Sequence, residues 1–141
     1  MGIDLGYRGY ISSRKFYGER APQHVQNIVI RSYCERQGLQ YRLSATEHAM
    51  RGSFTMLEQL VNDIDAIDGL IFFSLFQLPP RPAERYRVFE KVFRAKKTIH
   101  FAVEELVAEC FTDARRVNDI IVLRELLPKC LDSTGLEKAV S

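Results

Sequence analysis

Cysteine is scarce in this chain and never closely paired. Cys34, Cys110 and Cys130 lie far apart. An odd count without short spacing argues against a disulfide framework and against a zinc site. Each thiol is expected to serve as a small buried hydrophobe. Long apolar runs are missing as well. The longest, around Leu70 to Phe76, is broken by Ser74 and is far shorter than the roughly 20 residues that span a bilayer. Charge of one sign is in short supply, since the formal net charge is only +2. That bias is too weak to single out nucleic acid or an anionic membrane as a partner. The opening MGIDLGYRGY shows no basic, then apolar, then small pattern, so a cytoplasmic protein without membrane association is expected. No Walker loop, no GxGxxG and no metal-ligand spacing occurs, so no cofactor is expected. Repeats, low-complexity tracts and Pro/Gly/Ser linkers are also absent. Residues 1–131 are therefore expected to form one domain, with 132–141 a flexible tail.

What is present suits a globular α/β protein. The 141 residues are 46% hydrophobic, enough for a substantial core. Tyr7 to Ser13 reads as a first strand. Pro22 opens a helix with Val25, Ile28, Val29 and Tyr33 on one face, and Gly38 ends it. Gln40 to Thr46 alternates as a second strand. Ser53 or Thr55 can cap a helix, Thr55 with Glu58 as a capping box, and its stripe runs through Leu57, Leu60, Val61, Ile64 and Ile67. LIFFSLF, from Leu70, reads as a central strand covered on both faces. Pro82 starts a third helix with Tyr86, Phe89 and Phe93 as its buried face, and these rings are read as core rather than as a stacking platform. Thr98 to Val103 is a fourth strand. A last helix runs from about Asp113 to Leu131, frayed beyond Pro128.

Alternation of strand and helix implies a mainly parallel sheet with helices on both faces. Ligands bind such sheets beyond the carboxyl ends of the strands, near the switch in strand order. Four groups fall there. Ser12, Ser13, Arg14, Lys15 and Arg20 combine hydroxyls, backbone amides and cations, the requirements of a phosphate, just ahead of a helix start at Pro22; the alternative is a basic, solvated turn. Thr46, Glu47, His48 and Arg51 follow the second strand, where His48 is a candidate for proton transfer with Glu47 or Glu104; the alternative is a surface histidine. Ser74, Gln77 and Arg81 follow the third strand. Glu104 and Glu105 follow the fourth, and adjacent strand positions allow only one of them to face the site.

The order of elements resembles the catalytic domain of the serine recombinases, the resolvase and invertase group, from about Gly9 to Glu105. GYISSR stands where that family has a Gly-Tyr-x-Arg-x-Ser strand end, and Gln26 stands where it has a helical glutamine. The resemblance implies a three-layer, doubly wound, resolvase-like (flavodoxin-like) α/β domain with an added C-terminal helix. The family's nucleophilic serine falls near Arg14 and its first arginine near Ser12. Two further arginines fall on Gln77 and Pro80. Those arginines stabilise charge on the transferring phosphate, so strand exchange is not expected. Nearly the whole length, beginning GYISSR...F.GER.PQ.VQN, also resembles a small uncharacterised family found sporadically in surface-carbohydrate biosynthesis clusters.

The sequence reading therefore expects a role in carbohydrate biosynthesis, with a phosphorylated sugar or nucleotide-sugar held by Ser12, Ser13, Arg14, Lys15, Arg20, Arg51, Gln77 and Arg81. His48, Glu47 and Glu104 are the candidates for proton transfer. The alternative is a non-enzymatic scaffold. A homo-oligomer through the apolar stripe of the last helix (Val117, Ile121, Leu123) is expected, and nucleic acid ranks last as a partner.

Overall fold

The computed structural model describes residues 5–15, 21–48 and 54–130. Its elements are β1 (Tyr7–Ser12), α1 (Gln23–Gln37), β2 (Tyr41–Glu47), α2 (Thr55–Asn62), β3 (Gly69–Phe72), α3 (Pro82–Arg94), β4 (Thr98–Phe101), β5 (Leu106–Ala108) and α4 (Phe111–Cys130). The sheet order is β2-β1-β3-β4-β5. The first four strands are parallel and β5 pairs antiparallel with β4.

β3 is buried at every position because its faces feed two cores. Leu70 and Phe72 enter a large cluster with residues of α2, α3 and α4, such as Leu57, Phe89 and Val117. Ile71 enters a smaller one with Ile30, Tyr33 and Cys34 of α1. Gly69 is fixed by close approach, since a Cβ there would lie 2.4 Å from the Thr98 carbonyl oxygen.

The helices depart from the sequence pattern in instructive ways. α1 ends as expected at Gly38, which adopts φ 70°. It buries Gln26, Ile30, Tyr33 and Cys34, while Val25 and Ile28 face solvent. A buried glutamine has displaced the expected apolar stripe because its amide is fully engaged, as described below. α2 stops at Asn62 and a 3-10 turn (Ile64–Ala66) carries the rest of its stripe. Phe54, not Thr55, occupies its N-cap position, with no side-chain cap. The first-turn amides of Met56 and Leu57 donate instead to the Glu47 carboxylate, at 3.2 and 3.3 Å. α3 buries Val88, Phe89 and Val92, yet Tyr86 is 56% exposed, so the expected face is rotated.

β4 ends two residues early. The chain reverses through 102–105, where Glu105 adopts φ 54°, into β5, a strand without a signature in the sequence. α4 begins at Phe111 and continues through Pro128. Among the described residues, no helix is long and apolar enough to cross a membrane.

Candidate functional site

The strand order switches between β1 and β3, and a cleft of about 210 Å³ opens beside the carboxyl ends of these strands. Ser12, Arg14 and Lys15 border it from the end of β1. Gln77, Leu78 and Pro80 border it from the segment after β3. Phe54 arrives from the start of α2, Arg85 from the first turns of α3, and Ile121 and Glu125 from α4.

A buried amide network holds this edge together. The Gln26 side chain accepts from the Ser12 amide (3.1 Å) and from Gln77 Nε2 (2.8 Å). It donates to the carbonyls of Ser12 (2.7 Å) and Ala21 (2.8 Å). Gln77 accepts in turn from the Ser74 amide, within a 3-10 turn (Leu75–Gln77) that Ser74 caps. Ser12 Oγ accepts from the Arg14 amide at 3.0 Å, which fixes the backbone just before the cations. The Arg14 guanidinium lies 4.2 Å from the centroid of the Phe54 ring, a cation–π arrangement that orients it at the cleft mouth.

Neither serine is arranged as a nucleophile. Ser12 is buried, and the Ser13 hydroxyl is directed at the Glu47 backbone carbonyl, at 3.5 Å. Among the described residues, no histidine or carboxylate side chain stands within hydrogen-bond reach of either hydroxyl. An activated serine needs such a base beside it.

The carboxylates are engaged in structure. Glu47 is buried; it accepts from the Tyr10 hydroxyl at 3.0 Å and from the α2 amides. Burial, then the charge of Glu47 and its hydrogen bond, hold the Tyr10 phenol well above its ordinary range, against a smaller opposing pull from Arg14. Glu104 accepts from the Ser74 hydroxyl (2.7 Å) and the Leu75 amide (2.9 Å). His48 is exposed beyond the end of β2. Arg81 is exposed and pairs with Glu84 at 3.7 Å. The structure thus brings Ser12, Arg14, Lys15 and Gln77 to one cleft, with Ser13 beside them. It leaves Glu47, His48, Glu104 and Arg81 outside the cleft lining. Arg20 and Arg51 lie outside the described residues.

Sequence reasoning missed Phe54, Arg85 and the α4 wall. Arg85 is 2% exposed. Its guanidinium donates to Asn118 Oδ1 (3.1 and 2.6 Å) and to the carbonyls of Pro79 (3.1 Å) and Pro80 (2.8 Å). An arginine spaced one turn before Phe89 on the α3 stripe was the available signal.

No family model matches the chain, and no curated protein is similar to it. Solved structures do share its fold. One is the N-terminal catalytic domain of TP901-1 integrase, with a TM-score of 0.61 and 18% identity over 86% of this chain and 97% of that one. Another is a resolvase family site-specific recombinase from Streptococcus pneumoniae, with a TM-score of 0.60 and 9% identity over 96% of this chain and 99% of that one. The resolvase-like α/β fold expected from the sequence is therefore the observed one. The expected role in surface-carbohydrate biosynthesis is overturned: these two structures of the same fold are an integrase catalytic domain and a resolvase family recombinase.

Proposed function

We propose that this chain is a recombinase-fold domain that binds the phosphate backbone of duplex DNA at the β1–β3 cleft without cleaving it. One observation carries the reading. Arg14, stacked on Phe54, and Lys15 stand at the mouth of a cleft at the sheet's switch point, while both neighbouring serines are withdrawn from chemistry. Cations held at a strand end suit phosphate oxygens. Phosphoryl transfer would need further positive charge on the transferring group, and the two positions expected to supply it carry Gln77 and Pro80.

The second half of α4 supports self-association as part of this reading. Val122, Leu123, Leu126 and Leu127 are 39 to 59% exposed on a helix, an apolar surface that a second copy would cover.

The test is fluorescence anisotropy with a labelled duplex across a salt series. Wild type should bind at low salt with a linear log–log salt dependence. Arg14→Ala/Lys15→Ala should weaken binding and reduce the slope by about 0.9 per lost phosphate contact. No binding at low salt, or a double variant indistinguishable from wild type, would overturn the reading. A covalent protein–DNA adduct on a denaturing gel would overturn its non-cleaving part. Sedimentation of Leu123→Glu/Leu126→Glu should give a monomer where wild type is larger; a wild type already monomeric removes the self-association.

A further inference from the structure

A second surface, separate from the cleft mouth, carries its own signal. The net charge of +2 conceals a strong asymmetry. Residues 81–97 hold seven cations and two carboxylates, a net +5, so the rest of the chain sums to −3. This segment is α3 with its immediate flanks; Arg94 stands beside the rings described next, whereas Arg87 and Lys91 border a hollow towards α2.

Aromatic rings stand on α3 and on the start of α4 beside it. Tyr86 is 56% exposed and Phe111, at the start of α4, is 42% exposed. Their rings stack with centroids 5.2 Å apart at 24°. Phe93 meets Phe111 edge-on at 5.1 Å and 88°. A groove of about 510 Å³ runs between the two helices beside this stack, with Arg85, Arg115 and Asn118 along it. Arg94 and Glu90 border the adjoining hollow formed by Tyr86, Phe93 and Phe111. Two exposed guanidiniums, Arg94 and Arg115, thus flank the rings beside one carboxylate, Glu90.

We propose that this α3–α4 face binds an unpaired nucleic-acid strand, with a base stacked against the Tyr86–Phe111 pair and the adjoining phosphates held by Arg94 and Arg115. Planar rings interleaved with cations suit a chain that offers one π-face and one negative charge per nucleotide. A duplex keeps its base faces within its own stack, so the rings add nothing to duplex binding. An apolar peptide helix would bring no counter-charge to the exposed Arg115 at this groove or to Arg94 beside it. The ion pairs on α3, Arg94–Glu90 at 2.9 Å and Arg81–Glu84 at 3.7 Å, are solvent-exposed, so they contribute little and give way readily to phosphate.

The inference goes beyond the duplex reading and stands or falls separately from it. The probe is a labelled oligothymidylate, with a duplex of equal length in parallel. Tyr86→Ala should weaken single-strand binding roughly 5- to 150-fold, the range of one lost base–aromatic stack, and leave duplex binding unchanged. Tyr86→Trp should restore it. Arg115→Ala should reduce the salt slope by about 0.7, the single-strand increment. Arg14→Ala/Lys15→Ala should leave single-strand binding intact even if it abolishes duplex binding. Circular dichroism melting checks that each variant is folded, and because Tyr86 is exposed it should be. Equal single-strand affinity in wild type and Tyr86→Ala overturns the proposal, as does absence of single-strand binding at low salt. Equal competition by polyglutamate would mark a face that reads charge alone, and would overturn it too. Loss of self-association in Tyr86→Ala would assign the rings to a second copy of the chain instead.

Discussion

Replacing Gln26 by methionine separates packing from hydrogen bonding at the centre of the molecule. The side chain is fully buried, and methionine matches its length and approximate volume. The substitution strands the Ser12 amide and Gln77 Nε2, both buried donors that now share Gln26 Oε1. It also removes the donor to the Ser12 carbonyl. At about 1–3 kcal/mol per stranded buried donor, the two donors alone imply a loss of roughly 2–6 kcal/mol, a large share of the ~5–15 kcal/mol typical of a domain. Urea unfolding should show the midpoint falling by about 1–3 M with the slope unchanged. Gln26→Glu supplies the control. Its carboxylate keeps the two acceptor contacts but turns negative oxygen towards the carbonyls of Ser12 and Ala21. Its folded pKa must then rise above the usual ~4.3, so its stability is highest below that value and is lost as pH climbs through the folded pKa. The variant should lie closer to wild type at pH 4 than at pH 7. A midpoint shift under about 0.5 M for Gln26→Met, or a pH-independent gap for Gln26→Glu, would refute the view that this amide organises the site edge.

Glu47→Gln keeps an acceptor for two of its three partners, the Tyr10 hydroxyl and the Leu57 amide that share Oε1, but loses the acceptor for the Met56 amide and gives up the negative charge at the start of α2; thermal unfolding should report a loss of about 1–3 kcal/mol, with the Arg14 region perturbed. His100, hydrogen-bonded to the Tyr33 hydroxyl at 2.7 Å, is pushed down to about 4 by burial. The unfolded chain therefore binds more protons than the folded one between about pH 6.5 and 4. Stability should fall as pH drops through that window, and His100→Gln should flatten the difference in urea midpoints. Gly69→Ala forces a Cβ to 2.4 Å from a backbone oxygen of β4, and should cost about 1–3 kcal/mol by overpacking, read as a lowered melting temperature.

The parts of the fold that could be read from sequence were those with a local cause. Pro22, Gly38 and Pro82 marked helix ends because their backbone preferences act within a few residues. The run after Gly69 marked a covered strand through composition alone. What escaped the sequence depended on distant partners. α1 can bury Gln26 because Ser12 and Gln77, 14 and 51 residues away, meet its amide. α2 starts at a carboxylate from β2 rather than at its own hydroxyl. Three residues of β5 are too few to show a period. At the site, the strand-end rule pointed to Ser12, Arg14 and Lys15, whereas the polar types of Glu47 and Glu104 concealed their use as caps. The basic character of residues 81–97 was diluted by a whole-chain sum, and the exposure of Tyr86 followed from a rotation of α3 that its spacing did not reveal.

The small hairpin of β4 and β5 determines the direction from which the last helix arrives. α1, α2 and α3 each follow a parallel strand or its loop, so they set out from the carboxyl edge and can offer that edge only their first residues. The reversal at Glu105 carries the chain back down the sheet before α4 begins. α4 therefore climbs with its length behind it, and its later turns bring Ile121 and Glu125 to the cleft. Three residues of antiparallel pairing act as a turntable. A chain that passed from β4 into a fourth descending helix would keep the strand-end cations and lose the wall that faces them.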